Sequence, residues 1–152
     1  MTKLRLAEEA DLPTILEMGE DMFANSSFAP LTYSRSKSGQ SILHGMKTAL
    51  VIVSLTDDGE ITGCMHGDVI EPWYTEDRMG IEYFVYVRPE YRGTLAAWML
   101  IKAWVRWAVD SGAKQIRPAT AAVSEPADRL YKRMGFSPAG SLYVMNQEQF
   151  GA

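Results

Sequence analysis

"VRPEYRGTLAAWML", residues 87–100, begins as the end of a β-strand and finishes as the start of a helix. Pro89 and Gly93 interrupt regular structure between the two halves, so a sharp strand-to-helix junction is required there. A helix N-terminus leaves backbone N–H groups without intrahelical partners and carries partial positive charge, which makes it a phosphate site when nothing bulky stands in the way. Gly93, Ala96 and Ala97 are small, Thr94 and Leu95 lie between them, and Arg92 contributes a forked cation. The stretch Arg92-Gly93-Thr94-Leu95-Ala96-Ala97 therefore reads as a cradle for a pyrophosphate. The same residues also suit a plain junction in which Gly93 turns the chain, the alanines pack on a sheet and Arg92 is solvated.

Outward from this junction the elements alternate. "KLRLA" is a short strand, and Asp11 is placed to cap a helix with Pro13 in its first turn and Ile15, Met18, Met22 and Phe23 on one face. Residues 33–47 form a weakly amphipathic helix anchored by Ile42, Leu43 and Met46. "ALVIVSLT", "DDG" and "EITGCMHGDVI" predict two strands joined by a tight turn, and "IEYFVYV" predicts a central strand ending at Pro89. Residues 94–110 carry Ala97, Leu100, Ile101, Trp104 and Ala108 on one face of a long helix. "AKQIRPATAAV" predicts another strand, bent or short of a donor at Pro118. Ser124 then caps a helix with Pro126 in its first turn, Leu130, Tyr131 and Met134 on one stripe, and Gly135 at its end. "FSPAGSLYVMNQ" predicts a last strand or hairpin. The order β-α-α-β-β-β-α-β-α-β specifies an α/β (α+β) fold with a mixed sheet and a right-handed parallel crossover between strands four and five.

The 152 residues suit a single domain spanning the whole chain, without repeats or a dividing linker. Hydrophobic residues at 47% and charged residues at 22% describe an ordinary globular protein. A net charge of -4 and the absence of compact basic tracts argue against nucleic acid as a partner. Cys64 is the only cysteine, which rules out an intramolecular disulfide and any thiolate metal cluster; no metal is expected. No apolar run approaches the roughly 20 residues of a spanning helix, and "MTKLRLAEEADL" lacks a signal core, so the cytoplasm is the expected location.

From "RLAEEADLPTILEM" through "VRPEYRG" to "RLYKRMGF", the chain resembles the GNAT family of N-acetyltransferases, whose pyrophosphate loop is written [RQ]-x-x-G-x-[GA]. Leu95 stands where the middle glycine of that pattern belongs. The resemblance implies a central sheet of six to seven strands flanked by about four helices and splayed between strands four and five. It also implies acetyl-CoA as cosubstrate and transfer of its acetyl group to a primary amine by direct attack in a ternary complex. Residues 92–97 would then hold the pyrophosphate, and Val85 and Val87 would offer backbone groups to the acetyl and pantetheine portion. Ser124 occupies the position of a family asparagine that touches the pantetheine arm, although a helix cap is the stronger reading of it.

Acyl transfer needs a neutral nucleophile and a proton for the departing thiolate. Tyr131 aligns with the family tyrosine that protonates the leaving sulfur; as a plain residue it is a core aromatic with a polar tip. Glu82 is the candidate base, yet strict alternation puts it with Phe84 and Tyr86, opposite Val85 and Val87, unless a β-bulge flips it. His66 is an alternative base or a structural histidine. Phe28, Trp73 and Tyr74, with Glu71, Glu76 and Asp77, form a candidate acceptor site or a solvated acidic loop. Trp98, Trp104 and Trp107 read as core or as a contact between two copies, which leaves a homodimer open. The alternative to an enzyme is a degenerate member of the fold serving as a binding or structural module, a reading that Leu95 and Ser124 favour.

Overall fold

The computed structural model describes residues 1–119 and 125–151, so the Ser124 position lies outside the described residues. Five strands form one sheet in the order β1-β2-β3-β4-β5: β1 Lys3–Leu6, β2 Leu50–Leu55, β3 Ile61–Ile70, β4 Arg78–Val87 and β5 Ala113–Arg117. The first three pairings are antiparallel and β4–β5 is parallel. Helices α1 (Leu12–Ala24) and α2 (Arg35–Thr48) cover one face, and α3 (Ala96–Asp110) and α4 (Glu125–Arg133) the other.

Alternation along the strands divides the core. Val51, Val53, Cys64 and Tyr86 face Ile15, Met18 and Ile42, whereas Leu50, Ile52, Met65 and Val87 face Leu100, Ile101 and Trp104. Burying each of the larger aliphatic side chains contributes roughly 1.5–3 kcal/mol. α1 carries Pro13 in its first turn as expected, but the Asp11 side chain does not cap it. Its carboxylate accepts from Arg5 Nη1 at 2.6 Å, Arg5 Nη2 at 3.0 Å and the Glu8 amide at 2.8 Å, fastening the helix start to β1. Ser34 caps α2 by accepting from the Lys37 amide. The β2–β3 hairpin turns at Gly59, whose φ of +88° an L side chain rarely adopts.

The sheet is smaller than the six to seven strands expected. Among the described residues β5 stops at Arg117, before Pro118, whose missing N–H cannot donate to a ladder. "FSPAGSLYVMNQ" forms no strand: Pro138 and Gly140 break the run, Leu142, Tyr143, Val144 and Met145 are exposed, and a 3-10 turn follows at Gln147–Gln149.

Two irregularities position the site. In the β3–β4 ladder His66 pairs with Phe84 while Gly67 pairs with Glu82, so Tyr83 is an extra residue and β4 is bulged there. On the other side, β4 pairs with β5 only from Arg78 to Ile81. From Glu82 onward, among the described residues, the two strands part.

Candidate active site

The gap between β4 and β5 opens where the bulge sits. Before Tyr83, Gly80 and Glu82 point at α3, since a methyl on Gly80 would meet Ala108 and Gly67, paired with Glu82, abuts the Trp104 indole. After it, Val85 and Val87 take that same face. The bulge thus puts Glu82 on the side of Val85 and Val87, which strict alternation forbids. The Arg88 amide donates to Thr62 C=O at 2.8 Å, which makes 88, 86 and 84 the hydrogen-bonded positions against β3. The backbone groups of Val85 and Val87 consequently point the other way, into the gap.

Glu82 and Tyr131 meet at the start of this gap. The Tyr131 hydroxyl donates to Glu82 Oε2 at 3.0 Å, and Phe136 supports the phenol edge-on with ring centroids 5.8 Å apart. Burial pushes the Glu82 carboxyl up to about 7, against the opposing effects of the Tyr131 hydroxyl and the Ala119 amide. Burial and the neighbouring Glu82 raise the Tyr131 phenol, which keeps its proton at neutral pH. A carboxyl that titrates near neutrality beside a protonated phenol can accept one proton and supply another.

The junction that opens α3 lies at the far end of β4. Gly93 has φ of +84°, and a Cβ built on it would meet nothing within 4 Å, so the approach to its backbone is open. Thr94 Oγ1 donates to Tyr91 C=O at 2.7 Å and accepts from the Ala96 amide at 3.2 Å, fixing the first turn. The amides of Gly93, Leu95, Ala97 and Trp98 have no partner among the described residues. Leu95 keeps φ of -76°, which does not demand glycine, and its side chain is 65% exposed. Arg92 turns back over β4: its Nε–H donates to Val87 C=O at 3.0 Å, and its guanidinium stacks over the Tyr86 ring, 5.5 Å from the centroid. These open amides and the helix start fit a diphosphate, while the Val87 carbonyl is already engaged by Arg92.

The residues expected to receive an acceptor are dispersed. Trp73 is 95% exposed and meets Tyr74 edge-on; Phe28 packs on Phe23; Asp77 pairs with Lys114 at 2.6 Å. None of them lines the cavity that does lie beside the bulge, between α1, α2 and β4. That cavity includes Tyr33, Lys37, His66, Tyr83 and Phe84, of which only His66 stood out in the sequence. Nothing local marks the others, because α2 and the α1–α2 loop reach the bulge only through the fold. Cys64 is buried and its thiol pushed up, which suits a small core residue. Among the described residues no group of acidic, histidine or cysteine side chains could hold a metal ion, and no helix is long and apolar enough to cross a membrane.

The mixed sheet thus parts beside a parallel crossover, with open amides at the next helix start. The acetyltransferase (GNAT) family profile matches residues 20–136, and the chain belongs to that family. No curated protein sequence matches it significantly. Among solved structures it is similar to a Trypanosoma brucei acetyltransferase (20% identity, 96% of this chain and 99% of that one, TM-score 0.73). It is also similar to a ribosomal-protein-alanine N-acetyltransferase from Brucella melitensis biovar Abortus 2308 (18% identity, 96% and 99%, TM-score 0.72). A third is the aminoglycoside N-acetyltransferase AAC(6')-Iy, solved in complex with a bisubstrate analogue, CoA-S-monomethyl-acetylneamine (14% identity, 97% and 98%, TM-score 0.72). Acetyl transfer is the general chemistry that the family membership supports.

Proposed function

We propose that this protein transfers an acetyl group from acetyl-CoA to a primary amine by direct attack in a ternary complex. The observation that carries the proposal is the Tyr131–Glu82 hydrogen bond at the point where β4 leaves β5. In this reading the open amides at residues 93–98 and the Arg92-stiffened loop hold the diphosphate, and the backbone of Val85 and the Val87 amide bind the pantetheine and acetyl portion. Bound acetyl-CoA supplies an activated acetyl group: a C–N bond to the amine forms as the C–S bond breaks. Glu82 takes the proton that the amine sheds, and Tyr131 gives its own to the departing sulfur. Their 3.0 Å contact lets Glu82 return a proton to the phenol, so the residues end as they began.

Thermal shift with CoA tests the binding half. At about 100 times its dissociation constant the ligand should stabilise the fold by roughly 2.7 kcal/mol. Tyr131→Phe tests the chemical half: thiol release should slow by about 10²-fold or more with CoA affinity unchanged. An absent thermal shift at millimolar CoA would leave a non-catalytic binding module, and an unaltered rate would remove Tyr131 from the chemistry.

A further inference from the structure

The cavity beside the bulge, about 370 Å³, lies on the face of the sheet opposite Glu82, with Tyr83 as the single residue between Glu82 and Phe84. Its wall is apolar and aromatic, built from Met22, Phe23, Tyr33, Ile42, Tyr83 and Phe84, and α2 adds serine hydroxyls. Its two nitrogen-bearing side chains lack partners among the described residues. His66 is only 3% exposed, lines the cavity, and has no hydrogen-bond partner among the described residues; Gly45 leaves room for its ring, and Tyr83 stacks on it at 4.6 Å. Burial holds its imidazole down to about 4, so it is neutral and offers a lone pair. Lys37 is the charged residue of the wall and forms no ion pair among the described residues. The carboxylates nearby are engaged: Asp68 accepts from Tyr83 at 3.3 Å and the Val69 amide at 2.7 Å, and Glu20 pairs with Arg35 at 3.1 Å. A polycationic acceptor needs a wall of carboxylates, and this wall presents aromatic rings and a free cation.

We infer that the acceptor is a small amine with an aromatic body and a carboxylate, the class of aromatic amino acids. Its carboxylate lies at Lys37 and its amine at the Tyr83 end beside the bulge, where it reaches Glu82 and the acetyl group through the opening between β4 and β5. The inference rests on the acetyltransferase reading and specifies its second substrate. Size agrees, since 370 Å³ is at the small end of the roughly 300–1,000 Å³ typical of ligand sites.

The test compares kcat/KM for phenylalanine, phenethylamine, spermidine and an aminoglycoside at saturating acetyl-CoA, with CoA binding followed separately by thermal shift. Phenylalanine should exceed phenethylamine, which lacks only the carboxylate, by at least about tenfold, with both polycations lower still. Lys37→Met should bring the phenylalanine-to-phenethylamine ratio close to one without altering CoA binding, and its melting curve reports whether it folds. A preference for either polycation, a ratio unmoved by Lys37→Met, or no turnover of any of the four amines while CoA binds would overturn the acceptor assignment alone. Failure to bind CoA would overturn the acetyltransferase reading with it.

Discussion

Glu82 shows how one inserted residue decides which face of a sheet a side chain takes. Its identity was legible in the sequence, but its facing was not: alternation assigns it to the wrong side, and only the ladder slip at Tyr83, a property of two strands together, brings it to Tyr131. The carboxyl is then held up to about 7 by burial. The proposed base must be ionised, so kcat/KM should rise with pH through an inflection near 7, and Glu82→Gln should flatten that limb in a pH–rate profile. Stability runs the other way. Because the folded carboxyl binds its proton more tightly than the unfolded one, the folded state holds more protons between about pH 4.5 and 7, and stability falls as pH rises through that window. Glu82→Gln should therefore melt higher than the parent at pH 8, by about 1–2 kcal/mol once residual solvent contact is discounted, and equal it at pH 4. A variant that lost both activity and stability at pH 8 would assign Glu82 a purely structural part.

At the scale of elements, the hairpin, the long helix and the helix carrying Tyr131 follow from local signals, because period and glycines agree there. Residues 136–146 do not form a strand, since β-prone side chains need a partner edge and Pro138 and Gly140 interrupt theirs. Asp11 is the instructive middle case: the residue was expected at the right place, but its carboxylate ties β1 to α1 through Arg5 instead of capping the helix. The Arg5 guanidinium and the Glu8 amide hold that carboxyl below its usual range, so its contribution is present at neutral pH and lost as pH falls below about 4. Asp11→Asn should lower stability by about 1–3 kcal/mol at pH 7 and by much less at pH 3, read from denaturant melts. On the opposite face, a methyl at Gly67 would land on the Trp104 indole, so Gly67→Ala should cost about 1–3 kcal/mol by overpacking the floor beneath Glu82. An unaltered melt would mean that α3 can shift away from β3.

Over the whole molecule, the parallel crossover creates the site. β4 must pair with β5 to carry α3 back across the sheet and then leave it at Glu82, and the opening between them joins the start of α3 to the Glu82–Tyr131 pair. The sequence announces the junction at residues 92–97 because glycine, alanine and arginine are local signals. It is silent on the cavity under α2, which four separate stretches of chain assemble. The decisive observation is where the cosubstrate binds. A crystal structure with acetyl-CoA should show the diphosphate within hydrogen-bond distance of the amides at residues 93–98 and the sulfur beside the Tyr131 hydroxyl. A diphosphate bound elsewhere, or the Leu95 side chain filling that corner, would contradict it.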